Sequence, residues 1–80
     1  MSFSQEHRDL LLSVKGVGPT VIKRFEEIGI HSLEQLSQSN ANHIAELVAS
    51  MLNTTCWKNS PKALAAVQAA IDRAKLAVHA

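Results

Sequence analysis

Aromatic residues are scarce in this chain: Phe3, Phe25 and Trp57 are the whole set. Runs of β-branched residues are missing as well. Sheets rely on such side chains packing across a pleated surface, so their scarcity argues against β structure. Cysteine occurs once, as Cys56. That excludes an intramolecular disulfide and fits a reducing compartment. No apolar run approaches the length of a membrane span. Residues 1–9 (MSFSQEHRD) are polar and mixed in charge, unlike a secretory leader. A soluble, cytoplasmic protein with no membrane contact is the expectation. Metal-binding spacings of the His-x-x-x-His or Cys-x-x-Cys kind are also missing, and His7, His31, His43 and His79 are scattered singly. No metal and no cofactor are therefore expected. Catalysis needs two or more convergent reactive groups, and the acids here fall as ordinary helix-surface residues. The chain reads as non-enzymatic.

Net charge is small too. Eight Lys and Arg oppose seven Asp and Glu, for a formal charge of +1. A protein that holds nucleic acid by bulk charge is usually more basic. Any such binding here would come from a local patch and be weak and salt-sensitive. Eighty residues make one domain with one small core. Hydrophobic content of 46%, much of it Ala and Leu, suits a folded all-α domain.

Apolar spacing marks the helices. Phe3, Leu10, Leu11 and Val14, with His7 on the same face, form a helical stripe that Ser2 or Ser4 can cap. A second helix runs from Pro19 to about Ile28, with Val21, Ile22, Phe25 and Ile28 as its buried face. Gly29 suits its left-handed end, and Lys23 and Glu27 are spaced to pair along it. Ser32 followed by Gln35 matches a capping box and starts a short third helix over 32–38, anchored by Leu33 and Leu36, with His31 in the loop before it. Asn40 or Asn42 can cap a fourth helix over about 41–53, marked by Ile44, Leu47, Val48, Met51 and Leu52, with an exposed His43 in its first turn. Ser60 and Pro61 open the last helix, about 61–79, where Leu64, Val67, Ile71, Ala74 and Val78 keep a seven-residue rhythm. Its many alanines favour helix and allow close approach by a neighbour. Trp57 is expected as a core or half-buried cover residue, Cys56 as a small packing residue, and His79 as frayed.

The chain is organised around Val14-Lys15-Gly16-Val17-Gly18-Pro19-Thr20, a tight turn between the first two helices. Gly16 and Gly18 can take positive φ and admit a close partner, because they lack a Cβ. Pro19 suits the first helical position. The first turn that follows has free backbone N–H groups and the positive end of a helix dipole, which makes it a phosphate site. Lys15, Lys23 and Arg24 flank it, with no acid between Lys15 and Arg24. The plainer alternative is a turn that merely links two packed helices.

The string Leu11-x-x-Val14-Lys15-Gly16-Val17-Gly18-Pro19-x-x-Ile22-x-x-Phe25 resembles the helix-hairpin-helix motif, in which apolar residues bracket a Gly-apolar-Gly turn. Gly29-Ile30-x-Ser32-Leu33-Glu34-x-Leu36 is similar to the continuation common in such domains. The motif itself covers about residues 10–28, and the whole chain looks similar to small bacterial single-domain members, some of them called pathogenicity-locus proteins. The resemblance implies a compact all-α bundle of about five helices, of the kind called SAM-like, and sequence-independent DNA binding. It implies phosphate contacts from the N–H groups of Gly16, Gly18 and Thr20, with Val17 at the hairpin tip, packed or brushing the sugar-phosphate surface. Lys23 and Arg24, with Lys15 before the turn, would add charge. Ile22 stands where the family usually carries a small residue, and Lys15 where it often carries Pro. The alternative function is a protein-interaction module of the same fold, a homodimer or a partner's dock, using Trp57 and Cys56 or the Ala-rich last helix.

Overall fold

A computed structural model describes residues 3–53 and 57–78. The expectations for Ser2, Cys56 and His79 fall outside them. Among the described residues five helices follow one another: α1 (Gln5–Leu12), α2 (Pro19–Glu27), α3 (Leu33–Ser37), α4 (Ala41–Leu52) and α5 (Pro61–Val78). With 71% of the structure helical and no strand among the described residues, the chain is all-α. None of its helices is long and apolar enough to cross a membrane, among the described residues.

Side-chain caps set most of the boundaries. The Ser4 hydroxyl accepts the N–H of His7 at 3.2 Å and starts α1. Asn40 Oδ1 accepts the N–H groups of Asn42 and His43 at 2.9 and 3.2 Å and starts α4. Ser60 Oγ accepts the N–H of Ala63 at 3.2 Å and starts α5, with Pro61 in its first position. Ser32 Oγ accepts the N–H of Gln35 at 3.2 Å, but in return Gln35 Oε1 accepts the N–H of His31, at 2.8 Å, one residue ahead of the cap. The box thereby ties down the loop as well as the helix.

Gly29 ends α2 at φ +94°. The N–H of Gly29 donates to the Glu26 carbonyl at 3.1 Å and that of Ile30 to the Phe25 carbonyl at 2.9 Å. These are the two bonds of a Schellman cap, and its usual hydrophobic contact is available because Phe25 and Ile30 are both buried. Asn53 closes α4 in the left-handed region at φ 54°, a conformation that Asn tolerates better than most residues.

The Ala-rich α5 is the hub, packing against α1, α3 and α4. Eighteen residues make it about 27 Å long, close to the 34 Å long axis of the whole molecule. Phe25, Leu11, Ile22, Leu36, Ile44, Ile71, Val48 and Val67 are fully buried. Ile22 fits this core whole, and α1 and α2 still touch each other. The radius of gyration is 11.4 Å, near the about 11.6 Å expected of a compact chain of this length.

Two expected faces shift. In α4 the buried residues are Ile44, Ala45, Val48 and Ala49, whereas Leu47, Met51 and Leu52 are 39%, 40% and 37% exposed. The apolar arc of this helix is wider than the face that is buried, and that face takes in the small Ala45 and Ala49. In α5, Val67, Ile71 and Ala74 are buried as spaced, Leu64 is half-buried and Val78 is exposed, while Ala66 and Ala70 join the core. The Lys23–Glu27 pairing gives way to Arg24–Glu27, a pair three residues apart.

One long-range tie holds the chain's beginning. The Glu26 carboxylate accepts the N–H of Phe3 at 3.0 Å and lies 3.6 Å from the Arg8 guanidinium. It seats the buried Phe3 side chain against the core and fastens α1 to α2.

Candidate functional site

The α1–α2 turn is built from the Val14 carbonyl, which accepts the N–H of Val17 at 3.1 Å. Gly16 is the third residue of that turn, at φ +90°. This is where a type II turn demands positive φ, so glycine is required by the backbone. Its α-carbon also lies against α5: a Cβ there would meet the Ala66 methyl at 3.7 Å, an ordinary contact. The small side chain of Ala66 lets the turn rest on the hub helix. Val17 then sends its side chain into the core, where it is 5% exposed. Of the two expectations for Val17, packing is the one observed, and only its main chain is left to face outward.

Gly18 is different from what its sequence context suggests. Its φ is −115° with ψ −179°, extended backbone that any residue adopts. Positive φ explains Gly16 and not Gly18. A Cβ on Gly18 would meet nothing within 4 Å among the described residues. Neither backbone strain nor packing calls for glycine here. What the missing side chain does is leave the approach to the first turn of α2 open.

That first turn has no side-chain cap. Each of the other four helices starts on a serine or asparagine whose oxygen accepts a first-turn N–H. The N–H groups of Gly16, Gly18, Thr20 and Val21 have no acceptor among the described residues. No acid lies in the first turn of α2. Unpaired donors and the dipole's positive end therefore meet at one exposed place.

The flanking cations are not equivalent. Lys15 and Lys23 are exposed and make no ion pair among the described residues. Arg24 is half-buried, its guanidinium NH1 held by Glu27, and its Nε is buried without a partner. Arg24 is thus already neutralised within its own helix, which leaves Lys15 and Lys23 as the free charges. Thr20 is exposed in the first turn.

Beside the turn lies an open groove of about 250 Å³ whose lining includes Gly16, Val21, Trp57, Lys62 and Ala63. Trp57 is half-buried and packs against the core, as expected of a cover residue, while also lining this groove. The start of α5 contributes to the lining as well, with Ser60 just before it. Sequence reasoning did not connect Val21, Trp57 and Lys62 to the glycine turn. The available signal was a second acid-free stretch: no Asp or Glu occurs between Glu46 and Asp72, and Lys58 and Lys62 fall within it.

Compared with known protein families, with curated proteins and with solved structures, the chain matches none.

Proposed function

We propose that this chain is a non-enzymatic, sequence-independent DNA-binding module of the helix-hairpin-helix kind, which takes phosphates on the turn from Lys15 to Thr20. The observation that carries this reading is the uncapped start of α2, alone among the five helices of the described residues, with none of those residues in the space where a Gly18 side chain would stand. Phosphate is the ligand that such a cluster of N–H donors suits best. Contacts of this kind position a protein on the backbone without reading sequence. Lys15 and Lys23 supply the free charge, and the single cysteine is in keeping with a reducing, cytoplasmic setting.

Fluorescence anisotropy with a labelled duplex, repeated across a salt series, tests it. Lys15→Ala and Lys23→Ala are each expected to weaken binding and to lower the slope of log K against log salt by about 1. Unchanged slopes in both variants would exclude the turn as the phosphate site.

A second reading, a protein-interaction module, draws on Leu47, Met51 and Leu52, which leave one side of α4 partly uncovered. Sedimentation over a concentration series separates the two, since self-association through α4 is lost in Leu47→Lys and a monomer at all concentrations removes the homodimer.

A further inference from the structure

The groove beside the turn has a shape and a chemistry that phosphate binding leaves unused. Its volume of about 250 Å³ lies below the roughly 300 Å³ at which drug-sized sites begin. Trp57, the apolar residues Val21, Ala63 and Ala66, and the cation Lys62 are among the residues that line it. Gly16 belongs to both the groove and the turn. A strand whose phosphate sat on the α2 donors would carry its neighbouring sugar and base past this opening.

Charge favours a polyanion over a peptide of mixed charge. The two segments that contribute its lining residues, from Lys15 to Arg24 and from Trp57 to Ile71, contain no Asp or Glu. Five of the eight basic residues lie in them: Lys15, Lys23, Arg24, Lys58 and Lys62. The acids of the chain lie elsewhere, on α1, on the far half of α2, on α3 and α4, and at Asp72 in the second half of α5.

We propose that the groove receives one unpaired nucleobase, stacked on Trp57, from a strand whose adjacent phosphate is held by the first turn of α2. This rests on the phosphate reading above and narrows it: the preferred substrate is DNA with unpaired bases, single-stranded, gapped or frayed, over a blunt duplex. In an intact duplex the bases are stacked on one another and cannot enter. Aromatic stacking tolerates any sequence, because every base has a π-face.

Trp57 is the only tryptophan and the chain has no tyrosine, so its emission reports this groove alone. The experiment titrates the intact protein at low salt with three probes: an oligothymidylate, a strand of equal length lacking bases, and a blunt duplex. Saturable quenching of Trp57 by the oligothymidylate, with weaker binding and no quenching for the abasic strand, is the expected result. Trp57→Leu, which keeps apolar bulk without the stacking face, is expected to weaken oligothymidylate binding by about tenfold and leave the duplex unchanged. The ligand-side comparison stands even if that variant folds poorly. Equal binding of all three probes without quenching overturns the base site, while their sensitivity to Lys23→Ala would keep the phosphate reading. Binding of none of the three overturns both.

Discussion

Replacing Gly18 by aspartate is expected to occupy the donors of α2 from within the chain. The backbone at Gly18 already has the extended conformation of a helix cap, φ −115° and ψ −179°, close to Ser32 at −143° and 158°. A Cβ there meets nothing within 4 Å among the described residues, so the carboxylate can turn onto the N–H groups of Thr20 and Val21 without displacing any of them. Three small gains add up. Asp exceeds Gly as a cap by a few tenths of a kcal/mol. A negative charge at a helix start adds about 0.3–1 kcal/mol. Removing a glycine from the unfolded chain adds about 0.4–1 kcal/mol where the native conformation suits the new residue. The sum is about 1–2 kcal/mol, and each kcal/mol raises Tm by roughly 4–8 °C in a domain of this size. The same carboxylate competes with a bound phosphate and repels it. Thermal melting by circular dichroism and anisotropy with a labelled duplex are the two assays. Higher Tm with lost binding is the predicted combination. A lower Tm would mean that Gly18 has a structural role, and a higher Tm with full binding would mean that phosphates go elsewhere.

Other perturbations follow from the same structure. Gly16→Val and Gly29→Ala place a side chain on backbone at φ +90° and +94°, so each is expected to cost about 1–2 kcal/mol, with the β-branched valine at the upper end; Gly18→Ala, measured beside them by thermal melting, is expected to change Tm little, because the gain from removing a glycine is offset by the poorer capping of alanine. Glu26→Ala releases the Phe3 N–H and the Arg8 guanidinium and is expected to cost about 1–3 kcal/mol, mostly through the Phe3 anchor; an unchanged denaturant midpoint would show that the tie contributes nothing. Phe25→Ala empties the centre of the core and is expected to cost about 3–5 kcal/mol, enough to unfold much of so small a domain.

Caps and punctuation were the legible part of this fold. Ser4, Asn40, Ser60 with Pro61, and Gly29 each act where their residue types and spacing predict, because capping depends on neighbours three or four residues away. The faces of long apolar helices were less legible. In α4 the period is right, but Leu47 and Met51 lie exposed while Ala45 and Ala49 are buried. Helical spacing identifies a stripe and says nothing of which flank a partner will cover. The Glu26–Phe3 tie, separated by 23 residues, has no local signature at all. At the candidate site, the turn and the start of α2 were readable from Gly16, Gly18 and Pro19, but the division of labour between the glycines was not. One glycine serves the backbone and the other leaves space, and composition cannot distinguish the two. The groove formed by Trp57 and Lys62 joins residues some 40 positions from the turn. Only the long acid-free stretch hinted that these segments share a surface.

Amide-resolved NMR titration with a short duplex at low salt tests the central claim most directly. Shifts concentrated at Gly16, Gly18, Thr20, Val21 and Lys23, and fading as salt rises, are the predicted result. An unperturbed turn at saturating duplex, or shifts confined to the exposed side of α4, would contradict phosphate binding by the α1–α2 turn and leave it as a link between packed helices.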